Sequence, residues 1–369
     1  MEKYRDAILK DFETLVSMDA VSFREREVAD FLTKRLEMLG FVVTEDDAGA
    51  VYGGNAGNLY GYLQGTLEGE SVLFSGHMDV VEPGCGKRMV VDGDRIESAG
   101  DTVLGADDIN GILEILYGIQ AVLDSGKEHR DIEVLFTIGE ELYTKGASVF
   151  DYTKIRAKEA YVLDLDGEMG RAAYKAPSLI SFTVEITGKS AHAGFCPEEG
   201  IHAIQIAAEI LMNLKQGHIG NDTTFNVGVI EGGVLTNIVP EKTTFKGEIR
   251  SYDHQKALDL CDQTKALAQT IAEKYGAKST FEKEIHLKAY ETAKDSPSVQ
   301  HFTKAAETLG FTGELTQTFG GSDNNPFAEH GIQGLVLANG MHNPHSVNEY
   351  TTIHELLRGM ALVQQLIFH

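Results

Sequence analysis

Four apolar runs in this chain end in residues that a hydrophobic core would not select. They are "SVLFSGHMDVV", "DIEVLFTIGE", "EAYVLDLDG" and, near the C-terminus, "GLVLANG" followed by "MHNPHSVNEY". Between the first two lies "ADDINGILEILYGIQAVLDSG", whose apolar spacing predicts a helix. Strands alternating with helices need crossover connections, so the pattern predicts an α/β domain with a mostly parallel sheet. In such sheets the ligand site lies beyond the carboxyl ends of the strands, where these polar residues collect. The earlier segments fit the same domain: a helix over "EREVADFLTKRLEMLG", stopped by Gly40, and strands over "FVVTEDD" and "NLYGYLQG".

From about residue 180 the order changes. "SFTVEITG" reads as a strand, "EEGIHAIQIAAEILMNLKQG" as a helix, "TTFNVGVIEGG" and "KTTFKGEIRSYD" as strands. "QKALDLCDQTKALAQTIAEKYG" reads as a helix and "STFEKEIHLKAY" as a strand. That βαββαβ order is ferredoxin-like. From about 291 helix and strand return ("SVQHFTKAAETLG", "GLVLANG", "IHELLRGMALVQQLIFH"). The expected organisation is a discontinuous catalytic domain, 1–178 with 291–369, and an inserted domain, 179–290. A length of 369 residues accommodates two cores.

A net charge of −24 argues against a nucleic-acid partner, because phosphate binding needs a basic surface. Cys85, Cys196 and Cys261 are scattered and form no CxxC pair, which fits a reducing compartment. The N-terminus "MEKYRDAILKDFETLVSMDAVSF" has no uninterrupted apolar region of the signal-peptide kind. No run approaches the ~20 apolar residues that span a bilayer. A soluble cytoplasmic protein with no membrane partner is the expectation.

The polar clusters carry the chemistry. His77 and Asp79 are two apart and share a face of an extended chain, where a carboxylate can orient a metal-binding imidazole; alone, HxD is a weak signal. Asp107 and Asp108 follow Gly105 at a helix start. One of them could be an ordinary N-cap, but a cap needs one Asp, not two. Glu140 and Glu141 point to opposite faces of an extended chain, so both reach one site only if the backbone bends, which Gly139 permits. Asp166 suits an Asp-Gly turn, whereas Asp164 stands where its strand should stop. His342 and His345 lie in a loop after a strand. Mixed His/carboxylate sets suit zinc, cobalt or manganese.

In this order, "SGHMDVV", "LGADDINGI", "GEE", "YVLD" and "NPHSVNEY" resemble the co-catalytic di-zinc metallopeptidases of the peptidase T and carboxypeptidase G type, over essentially the whole chain. The resemblance implies a zinc-exopeptidase α/β catalytic domain with an inserted ferredoxin-like lid, and two Zn²⁺ per chain, with Co²⁺ or Mn²⁺ as alternatives. It implies His77 as a ligand oriented by Asp79, and Asp108 rather than Asp107 as the bridging carboxylate, with a cis peptide at that position. Glu140 matches the general base, Glu141 and His345 ligands of the second metal, and Asp164 the carboxylate paired with His77. Asp166 and His342 are runner-up ligands. In the lid, "GKSAHAGFCPEEGIHAI" puts His192 at the position that stabilises the oxyanion of a neighbouring site. Asn237 and Arg250 match substrate-holding positions, and Gly321, Ser322 and Asp323 of the 320–325 loop match the substrate-backbone loop. His202 is left as a helix surface residue.

The implied activity is removal of residues from short peptides, as by a tripeptide aminopeptidase. Hydrolysis of N-acyl or N-carbamoyl amino acids at the same site is the nearest rival. A catalytically silent binding or scaffold relative is a third reading, whose signature would be an incomplete ligand set. Association into a homodimer through the lid is part of the resemblance, although some relatives work as monomers.

Overall fold

The computed structural model of the chain describes residues 2–67 and 69–368. Its contacts divide it into two units, Met1–Lys175 with Glu291–His369, and Ala176–Tyr290.

The first unit is built on a nine-stranded sheet. At its centre three strands run parallel: Ile132–Thr137, Val72–His77 and Glu159–Leu165, with Gln333–Ala338 parallel beyond the last. Two of these, Val72–His77 and Ile132–Thr137, are buried along their whole length, as expected of strands covered on both faces. The antiparallel strands Leu59–Leu63 and Val42–Glu45 extend one edge, and Arg171–Ala176 extends the other. Across the central strands the register aligns their exits, with His77 opposite Thr137 and Ala338 opposite Leu165. Polar residues far apart in sequence therefore converge on one rim.

Helix Ala106–Ser125 is apolar almost all round, so it is buried rather than amphipathic. It packs against the C-terminal helix Ile353–Phe368. At Gly359 a Cβ would meet the Glu114 carboxyl carbon at 1.9 Å. That glycine is what makes room for a charged group inside the interface. No described helix is long and apolar enough to cross a membrane.

The second unit is a five-stranded antiparallel sheet, ordered Gly217–His218, Thr223–Gly232, Lys242–Ser251, Ser178–Thr187, Lys278–Leu287. Two helices, Ala203–Asn213 and His254–Lys274, interrupt the strands in the order βαβββαβ, the expected βαββαβ with the two-residue strand Gly217–His218 added. Ile180, Phe182, Val184 and Ile186 are buried, while Ser181, Thr183 and Glu185 between them are half-buried, the period-two signature of a sheet covered on one face.

Candidate metal centre

The site begins with the strand Val72–His77, which delivers His77 to the rim with its ring 2% exposed. His77 Nδ1 lies 2.9 Å from the carbonyl of Asp79 and so donates its proton there. That bond fixes the Nδ1 proton and turns Nε2 toward the carboxylates, where its lone pair serves a cation once the proton it shares with Asp107 is displaced. Nε2 faces Asp107 Oδ1 at 2.9 Å and Asp164 Oδ1 at 3.8 Å. The other oxygen of Asp107 faces His345 Nε2 at 3.2 Å, and His345 Nε2 meets Glu141 Oε2 at 3.0 Å. One carboxylate thus stands between two imidazoles.

The Glu140–Glu141 pair is bent into the site. Gly139 has φ +57°, in the left-handed region, and a Cβ there would meet the Phe23 ring at 2.6 Å. Asp79 then fastens the turn: its Oδ1 accepts the Glu140 amide at 3.0 Å and its Oδ2 the Glu141 amide at 3.2 Å. Asp79 therefore orders the turn as well as His77, which the two-residue spacing could not disclose. Donor atoms of His77, Asp107 and Glu141, and of His77, Glu140 and Asp164, form two sets, each within 4.8 Å.

Electrostatics give the cluster its meaning. Burial, then the neighbouring Asp164, pushes Glu140 well above the usual carboxylate range. Burial, then Asp107, raises both Glu141 and Asp164. Burial opposes ionisation of Asp107, yet hydrogen bonds from His345 and then His77 hold it low. The hydrogen bonds that His345 donates to Asp107 and then Glu141 lift it to about 10. Glu141 Oε1 is buried with no hydrogen-bond partner. Repelling carboxylates, an unfilled acceptor and two imidazoles are a donor set that fits borderline cations.

One expectation meets a different geometry: Asp107, and not the expected Asp108, stands between His77 and His345. The Asp107–Asp108 peptide is cis, and Asp108 turns inward. Its Oδ1 accepts from Asn339 Nδ2 at 2.8 Å and the Gly111 amide at 3.1 Å, its Oδ2 from the His77 amide at 3.2 Å. A carboxylate so occupied supports the strand end. Ser322 and Asp323 are 3% and 1% exposed. Ser322 Oγ accepts the Asn324 amide, and Asp323 Oδ2 accepts from Thr137 Oγ1 at 2.5 Å, so both side chains brace the rim from inside. Gly321 is half-buried beside them. Of the runner-up ligands, Asp166 is exposed. His342 pairs with Glu355 at 3.0 Å and stacks on Tyr350, so its ring is committed away from the cluster.

Several supporting residues escaped the sequence reading. Ser22 Oγ donates to Asp79 Oδ2 at 2.6 Å, and Glu25, fully buried, accepts the amides of Phe23 and Gly139 at 2.7 and 3.0 Å. Glu349 receives three backbone amides. Each comes from a remote segment, and no local spacing marks it.

Within the second unit, His192 and Asn237 are neighbours: His192 bridges Ile238, and the Ala193 amide donates to the Asn237 carbonyl at 3.0 Å. His192 is exposed and its Nδ1 accepts the amides of Gly194 and Phe195 at 3.1 and 3.2 Å. Its proton is therefore on Nε2. Arg250 is the penultimate residue of the strand Lys242–Ser251, with Nε 2.8 Å from Glu248 Oε1. His202 caps a helix, accepting the Gln205 amide at Nδ1.

A parallel-sheet rim holding this His/carboxylate cluster, with an inserted ferredoxin-like unit, defines the co-catalytic metallopeptidase class. Residues 174–276 match the peptidase dimerisation domain, and 58–219 match peptidase family M28. The chain is 35% identical over 360 residues to the uncharacterised protein YqjE of Bacillus subtilis, covering 98% of this chain and 97% of that one. The structure of aminopeptidase PepT from Bacillus cereus superposes with a TM-score of 0.92 at 36% identity, covering 98% of both chains. A tripeptidase from Staphylococcus aureus gives 0.95 at 28% identity, covering 98% of this chain and 97% of that one. The chain belongs to the peptidase T-like M20 metallopeptidases.

Proposed function

We propose that this chain is a two-metal aminopeptidase acting on short peptides, most like a tripeptidase. The observation that carries the reading is Asp107 set between His77 and His345, with Glu140 and Glu141 delivered by one bend. His77, Asp107 and Asp164 would hold one cation, and Asp107, Glu141 and His345 the other. Two zinc ions per chain suit these donors, with cobalt or manganese as alternatives. Such cations, when bound, polarise a carbonyl and lower the pKa of water. Glu140 takes the proton of the attacking water as the oxygen–carbon bond forms. It returns that proton to the amide nitrogen as the carbon–nitrogen bond breaks, releasing the amine.

His192, with its proton on Nε2, is a donor suited to the oxyanion. Arg250 suits a substrate carboxylate, which its planar fork grips in two places, and Asn237 beside His192 suits the peptide backbone. The dimerisation-domain match supports a homodimer through the lid, as do exposed apolar residues there: Phe195, Met212, Val234 and Leu235. Three free cysteines support the cytoplasm as the compartment.

Glu140→Ala is expected to keep its metal while turnover falls by roughly 10²–10⁴-fold or more; retained turnover would refute the role of Glu140. A panel of tripeptides, dipeptides and N-acetyl amino acids tests the substrate class. Cleavage of the last alone would replace the peptidase with an amidohydrolase. Purified protein devoid of metal by elemental analysis would favour the silent relative.

A further inference from the structure

Helix Ala106–Ser125 starts with Gly105 at φ +85° and no side-chain cap of its own. Asp107 and Asp108 have non-helical backbone angles, so the amides entering this helix are left without intrahelical partners. A buried amide without an acceptor is costly. The acceptor comes from far along the chain. Glu349, 1% exposed, takes the amides of Leu104 and Gly105 on Oε2 at 2.8 and 2.7 Å, and that of Asp107 on Oε1 at 2.9 Å.

Glu349 also closes the loop that carries His345. Its own amide donates to the Ser346 carbonyl at 3.1 Å. Next to it, His342 and Tyr350 exchange backbone hydrogen bonds at 2.9 and 3.0 Å and fasten the loop base. His345 stands inside that base with φ +59°, a left-handed conformation rare for a residue with a side chain. A free loop would have little reason to hold it.

We propose that Glu349 is a positioning residue that locks the Asp107 segment to the His345 loop and so sets the geometry of the second metal position. The inference rests on the two-metal reading above. It assigns no contact between Glu349 and a metal or substrate. One carboxylate, bound to three amides on one side and built into the His345 loop on the other, fixes the spacing at which Asp107 Oδ2 and His345 Nε2 face each other at 3.2 Å. His77 and Asp164 are held by other strands, so the first position depends on this link through Asp107 alone, whereas the second depends on it through both Asp107 and His345.

The test is zinc titration of metal-stripped protein against a chromophoric chelator, resolving two binding steps. Glu349→Gln keeps the shape, but sets an N–H₂ group against backbone N–H donors and loses the charge. The variant is expected to bind one zinc nearly as the parent does, through His77 and Asp164, and the second about 10–100-fold more weakly. The circular dichroism of the metal-free protein should be unchanged. Glu349→Asp, which keeps the charge on a shorter arm, is expected to weaken the same step by less, and serves alone should the Gln variant not fold. Cobalt absorption would report the distorted second position. Both steps unchanged in a folded variant, or both weakened equally, would overturn the proposal. A parent protein that binds no zinc would overturn the two-metal reading, and this inference with it.

Discussion

The two ends of the central sheet both bury carboxylates, and they neutralise them differently. At the end where the parallel strands begin, Glu133 is fully buried, and it accepts from the Tyr60 hydroxyl, Ser71 and the amides of Arg156 and Ala157. Beside it, Glu159 is paired with Arg130 and with His301. Both of these carboxylates have partners supplied by the chain. At the end where the strands stop, the ion-pair partners of Asp107, Glu141 and Asp164 among the described residues are two histidines. Burial and mutual repulsion push Glu140, Glu141 and Asp164 toward holding protons. One end is complete as folded; the other is organised for something the chain does not contain. Buried carboxylates alone therefore do not mark a site, whereas several mutually repelling carboxylates gathered around imidazoles do.

The contrast can be broken by mutation and by metal. The largest stability effect is expected at the self-neutralised end. Arg130→Ala leaves Glu159 buried with half its partners, and should cost about 3–5 kcal/mol in denaturant unfolding while kcat/KM of the folded enzyme is unchanged. A loss of activity without loss of stability would contradict the division. Next comes metal. Zinc at a hundredfold excess over its Kd should raise stability by about 2.7 kcal/mol, seen as a melting shift reversed by chelator. Asp107→Asn should lose most of that gain and Asp108→Asn should keep it. The reverse outcome would restore the expectation read from the sequence.

A smaller effect separates the two ends by sign. In the metal-free protein, Glu141→Gln removes a repelling carboxylate and should raise the unfolding midpoint at pH 8. At the other end Glu133→Gln should lower it, since the amide cannot accept all the hydrogen bonds it inherits.

The smallest effect concerns Glu114, in the helix interface with no hydrogen-bond partner on either oxygen. Burial, then Asp108, raises its pKa well above the carboxylate range. The folded state thus holds a proton that the unfolded state releases near pH 4, and stability falls as pH rises from there toward the folded pKa. Glu114→Gln should stabilise the protein more at pH 8 than at pH 4; an equal effect at both would show that Glu114 does not titrate across that span.

Much of the site was legible because it follows from local periodicity. His77 ends its strand with Asp79 two residues on, and Gly139 permits the bend that brings Glu140 and Glu141 inward. Asp164 is the penultimate residue of the strand Glu159–Leu165, whereas Asp166 lies just past its end and is exposed. The supports were not legible. Ser22 reaches Asp79 across 57 residues and Glu349 reaches Leu104 across 245. No spacing rule links segments that meet only after the sheet has formed.

By itself the sequence determined the alternation of strands and helices, the ferredoxin-like order of the insertion, and the inventory of acids and imidazoles at the strand ends. These depend on periods of two and 3.6 residues, which any stretch displays before it folds. Tertiary structure alone decided which of two adjacent aspartates faces the metal centre. Asp107 and Asp108 are chemically identical neighbours, and their roles diverge because Asn339, Gly111 and the His77 amide capture Asp108. That choice belongs to the hydrogen-bond partners waiting on either side of the peptide, and those partners have positions only in the folded chain.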